Sequence, residues 1–143
     1  FIAQNTTAAQ PQRVQEGLRE GRRILLFYSL LVAALCIGLN GLLLRLFTTD
    51  ASAASYGSAM LAYEGLTYIF TAQKHLCEAR MRGAQKMGLY LTSNLGQIGL
   101  NLCACVLLVP RIGFSGFWLS TWISAPAGLV LAGLLAKIGA KQT

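Results

Sequence analysis

The chain has 143 residues, of which 55% are hydrophobic and only 12% charged, and its formal net charge is +7. A water-soluble domain carries about twice that charged share, so a freely dispersed globular protein is excluded and a bilayer protein is predicted. The positive balance is not a nucleic-acid patch, because the aromatic residues lie in or beside apolar runs and do not interleave a soluble basic face.

The sequence opens on Phe1, and "FIAQN" reads as the end of an apolar segment, so the chain is expected to be a piece of a longer protein. Residues 1–23 are assigned to that helix end and a basic loop. Residues 24–143 are assigned to a four-helix unit. Its first span, Ile24 to Phe47, is almost uninterrupted apolar sequence, and at about 1.5 Å per residue it gives roughly 36 Å, enough to cross ~30 Å of hydrocarbon with some tilt. "TTDAS" then leads into a second span, Ser55 to Gln73, which is less apolar and carries Glu64. Such a helix suits protein neighbours better than lipid, since its small residues allow close packing and its polar ones can find partners. The helix is expected to continue to about Arg82 before Gly83 ends it. Met87 to Val109 and Phe114 to Ala136 are uncharged third and fourth spans, joined by "PRIGFSG", where Pro110, Gly113 and Gly116 are expected to break the helix.

Orientation follows from where the twelve lysines and arginines fall. Arg13, Arg19, Arg22 and Arg23 precede the first span, Lys74, Arg80, Arg82 and Lys86 lie between the second and third, and Lys137 and Lys141 are in the tail. Only Arg45 and Arg111 fall on the opposite side, so the positive-inside rule predicts both ends in the cytoplasm.

Glu64 lies midway between Ser55 and Gln73, near the predicted midplane, where a charged side chain costs about 2.5 to 3.5 kcal/mol. Thr67, Tyr68 and Thr71 share its helical face, and the stripe runs on to His75 and Glu78. The third span has a stripe of its own in Asn94, Gln97 and Asn101. In the fourth, Ser120, Thr121 and Ser124 add hydroxyls and Pro126 can kink the helix. For these amides and hydroxyls two readings stand: they line a hydrated cavity, or they hydrogen-bond helix to helix at roughly 0.6 kcal/mol each. Glu64 is read as functional, as intramembrane ionisable groups are by default, against the alternative of a protonated acid donating one interhelical bond. A carboxylate there can exchange a proton or a sodium ion, which is what a coupled transporter requires. The remaining chemistry is sparse. Cys103 and Cys105 diverge by about 200° around a helix and cannot share a metal, and with Cys36 and Cys77 they read as small apolar residues. His75 reads as interfacial. With no nucleophile and base pair or phosphate loop, an enzyme is not expected, and no cofactor or metal is assigned.

Two stretches resemble the multidrug and toxic compound extrusion (MATE) family. "FIAQNTTAAQPQRVQEGLREG" is similar to the end of a helix and its following cytoplasmic loop, and "MRGAQKMGLYLTSNLGQIGLNL" with "VPRIGFSGFWLSTWIS" resembles the penultimate and final helices. Ala84, Gln85 and Lys86 stand where the family commonly has an acidic "GD" pair, and Thr6 and Thr7 where a small glycine is common. The resemblance implies an all-α membrane protein: four transmembrane helices plus the end of a preceding one, part of a six-helix lobe of a twelve-helix transporter whose N-terminal lobe is the missing partner. It further implies a cation-coupled antiporter of a bacterial-type inner membrane, exchanging protons or sodium for organic cations or drugs by alternating access. On that reading Glu64 binds the coupling cation or substrate, and Thr67, Tyr68, Asn94, Gln97 and Asn101 line the cavity, with Tyr68 offering a face to an organic cation. A lipid-linked oligosaccharide flippase of the same superfamily and a non-transporting membrane scaffold are the alternatives. The first should place basic residues inside the spans. In the second, Glu64 should pair with a partner's cation.

Overall fold

The computed structural model describes residues 1–141. Among them six helices and no strand follow one another: α1 (Ile2–Thr7), α2 (Pro11–Gly38), α3 (Asn40–Arg45), α4 (Ala51–Gly83), α5 (Met87–Ile112) and α6 (Ser115–Lys141). Gln142 and Thr143, the last residues of the predicted four-helix unit, lie outside the described residues. The fold is all-helical as expected, and three helices, α2, α5 and α6, are long and apolar enough to cross a membrane.

The stretch expected to be a basic loop is largely helical, because α2 starts at Pro11 instead of Ile24. Proline at the first turn loses no hydrogen bond, since that N–H has no intrahelical partner in any case. Beyond it Val14 and Leu18 are half-buried, and Glu20 pairs with Arg23 at 2.9 Å on the solvent side, an i,i+3 contact that only a helix provides. The apolar run predicted as one span is interrupted at Leu39, between α2 and α3. The Asn40 side chain donates from Nδ2 to the Ser58 carbonyl at 2.9 Å, which ties the interruption to α4.

Asp50 caps α4, accepting from the Ser52 backbone N–H at 2.8 Å and from its hydroxyl at 2.7 Å. Those bonds, the side-chain one first, hold the Asp50 carboxyl below the usual carboxylate value. From the cap α4 runs 33 residues to Gly83, a length of about 50 Å. It packs along α2 on one side and α6 on the other, whereas α5 packs chiefly on α6.

The α5 to α6 connection is tighter than expected. Pro110 does not end the helix, which continues to Ile112. The turn is made at Gly113, whose φ of 68° is a conformation glycine adopts without a Cβ penalty. Gly116 is already inside α6, and a Cβ there would stand 2.7 Å from the Leu108 carbonyl carbon and the Val109 nitrogen. Its smallness, not its flexibility, lets the two helices meet. Pro126 also sits within continuous helix.

The interior is built from small side chains. Ala33, Ala72, Ala125, Ala132 and Ala136 are buried with Trp118 and Met81, while leucines, isoleucines and phenylalanines point outward. On α5 the outward stripe is Leu95, Ile98, Leu102 and Val106, each more than 60% exposed. An apolar stripe of that extent marks a surface for lipid or for another protein, and close packing through small residues is how helices associate in lipid.

Candidate functional site

The α4 stripe predicted from spacing divides into two environments. Glu64 is half-buried, and its neighbour is Thr67, buried one turn on, whose hydroxyl lies 3.0 Å from the Glu64 carbonyl and 3.4 Å from its Oε2. Among the described residues no cation lies within ion-pair distance of Glu64. The adjacent Gly65 sets this height in the bundle: a Cβ on it would meet Cys36 Cβ of α2 at 2.8 Å. Tyr68, still exposed, sets its ring edge-on to Tyr28 of α2 at 6.3 Å, and Thr71 donates to the Thr67 carbonyl at 3.3 Å.

Toward the end of α4 the stripe reaches an ion pair. Lys74, which the sequence groups with the cations between the second and third spans, lies inside the bundle. Its side chain is 4% exposed and that of Glu78 2%, and Nζ stands 2.7 Å from Oε1. Asn94 of α5 accepts from the same Nζ at 3.2 Å, Ser93 donates to Glu78 Oε1 at 3.5 Å, and His75 Nδ1 lies 3.0 Å from Oε2. Burial works against the Glu78 charge, but the bonds from Lys74 and His75 and their charges outweigh it and hold the carboxyl below its usual range. The signal was present in the sequence. Lys74 and Glu78 are one turn apart on a single face, and the small polar pair Ser93 and Asn94 follows on the next helix.

The three amides of α5 do not converge on Glu64. Asn94 turns to Lys74 of α4. Gln97 packs over Gly128 of α6, where a Cβ would stand 2.7 Å from its Cδ. Asn101 donates from Nδ2 to Ser124 Oγ at 2.9 Å, and Cys105, one turn further, sits 2.9 Å from Ser120 Oγ. Gln97 and Asn101 therefore both sit in the α5 to α6 seam. No hydrogen bond joins Glu64 to any of the three among the described residues.

A different group of residues flanks Glu64. Tyr63, its neighbour in sequence, stacks on Trp118 at 5.9 Å and meets Trp122 edge-on at 6.1 Å, so aromatic rings fill the α4 to α6 joint. An apolar pocket of about 510 Å³ opens beside the first turns of α4, lined by Ala53, Tyr56, Gly57, Met60 and Phe114. Gly57 and Met60 precede Glu64 by seven and four residues, a spacing that sets all three on one side of the helix. Periodicity alone could not supply Phe114, which comes from the far end of the chain.

Long apolar helices whose large apolar side chains point outward, with polar side chains bonded within and between helices, define an integral membrane protein. The sequence profile of the MatE family matches residues 1–107, three quarters of the chain, with the matched stretch ending within α5. The chain belongs to the MatE family, whose members are transporters of small molecules and not enzymes. No curated protein and no solved structure matched the chain.

Proposed function

We propose that this chain is part of the second lobe of a twelve-helix, cation-coupled antiporter that exports organic cations or drugs, and that Glu64 carries the coupling proton or sodium ion, or the cationic substrate. The observation that supports this is the contrast along α4. Glu78 is neutralised by a buried lysine, whereas Glu64 meets a threonine hydroxyl and, among the described residues, no cation. An acid with a threonine hydroxyl beside it, midway along a helix of about 50 Å, offers a charge that a mobile cation can satisfy. The apolar pocket on the same side of α4, with Tyr56 and Phe114 set edge to face at 6.0 Å, suits the hydrophobic body of such a substrate. On this reading α4 is a fourth transmembrane helix. It is shielded by α2 and α6, so it can tolerate a composition that the lipid-facing helices do not have.

The test is Glu64→Gln in the complete protein, reconstituted in liposomes with an imposed proton or sodium gradient. Substrate efflux driven by the gradient should fall at least tenfold while insertion and thermal stability stay near wild type. Unchanged coupled efflux would remove Glu64 from the mechanism.

A further inference from the structure

We propose that Glu78 Oε1 and Asn94 Oδ1 form a second site, for a small monovalent cation, and that the Lys74 ammonium is its tethered occupant in this conformation.

The two oxygens come from different helices and converge on one nitrogen, at 2.7 and 3.2 Å. The surrounding bonds hold them in that arrangement. Asn94 Nδ2 donates back to the Tyr90 carbonyl at 3.1 Å, which fixes the amide so that its oxygen, not its nitrogen, faces Lys74. Ser93, fully buried, donates to Glu78 Oε1, and His75 engages the other carboxylate oxygen. Both acceptors thus have a bond to a group other than the ammonium, so their arrangement does not depend on the lysine alone.

The chemistry of the occupant follows from charge and size. One carboxylate balances a single positive charge, which disfavours a divalent ion. Glu78, Ser93 and Lys74 are nearly inaccessible, which excludes a bulky organic cation. A sodium ion or a small ammonium has the matching charge and reach. If Nζ leaves, Glu78 keeps its contacts with Ser93 and His75 but loses its lysine counter-charge, a state that favours uptake of a replacement cation. Because the lysine is covalently part of α4, a free ion enters only as Lys74 withdraws, and binding at Glu78 is competitive with the tether. The site lies about 21 Å along α4 from Glu64, and its existence does not depend on the role proposed for that acid.

The complete protein in detergent, carrying Lys74→Ala, would be melted in choline, sodium and methylammonium chlorides at constant ionic strength. In choline its melting temperature should fall by roughly 5 °C, and sodium or methylammonium should restore at least half of that loss with saturation. Wild type should show no difference among the three salts. Lys74→Ala/Glu78→Gln, which has no carboxylate to satisfy, should also be insensitive. A folded Lys74→Ala protein that ignores both small cations overturns the proposal, as does equal rescue of the double variant. Should Lys74→Ala fail to fold, Lys74→Gln keeps a donor for Glu78 and Asn94 without the charge. A small-cation-dependent rise in its melting temperature supports the site, and the same temperature in all three salts overturns it.

Discussion

Glu64 and Glu78 are borne by one helix, yet their surroundings differ in the number of donors each carboxylate finds. Glu78 has a lysine, a histidine and a serine; burial pushes its pKa up, and the bonds and charges of Lys74 and His75 bring it down further than burial raises it. The pH dependence has a definite sign. Its carboxyl is held below the ordinary value of 4.5, so the stabilisation is present above that value and is lost as pH falls through the lowered folded-state value. Melts from pH 7 to pH 3 should therefore show wild type losing more thermal stability on the acid side than Lys74→Ala/Glu78→Gln. Parallel curves would mean that the cluster contributes nothing. The face shared by Lys74 and Glu78 was legible in the sequence, but the burial of the pair was not. A lysine followed by Arg80 and Arg82 has the composition of a membrane flank, and residue type alone does not tell which cation an adjoining helix covers.

Helices were more legible than their ends. The apolar runs of α5 and α6 and the long extension of α4 to Gly83 follow from hydropathy and turn chemistry. The early start of α2 and the interruption at Leu39 depend on contacts with distant partners, such as Asn40 with Ser58, that no local pattern encodes. The same distinction governs the glycines. At Gly116 an added methyl would press on the Leu108 and Val109 backbone, which cannot rotate away, whereas at Gly128 it meets the flexible Gln97 side chain. Gly116→Ala should cost about 1–3 kcal/mol of stability by overpacking, and Gly128→Ala less than half as much. Thermal unfolding of the two variants checks the order, and a larger loss at Gly128 would contradict the seam described for α5 and α6.

For the whole molecule, the family and the all-helical fold could be read from the sequence, while the grouping of side chains between helices required coordinates. The predicted amide stripe shows the reason. Helical spacing places Asn94, Gln97 and Asn101 on one side of α5, but α4 and α6 adjoin that side at different heights and take different members of it. The charge distribution gives a prediction at this scale too. In a cysteine-free background of the complete protein, Gln85→Cys, in the α4 to α5 turn, should react with an impermeant maleimide only after the membrane is opened. Thr49→Cys, before α4, should react in intact cells. The reverse pattern would invert the orientation read from the basic residues.

Side chains of α4 grip the last two helices and their connecting turn at three heights, Tyr56 against Phe114, Tyr63 against Trp118 and Trp122, and Lys74 against Asn94. A hinge between α4 and the α5 to α6 pair would have to open all three together, so these helices travel as one body in any rearrangement and the relative motion falls to their neighbours.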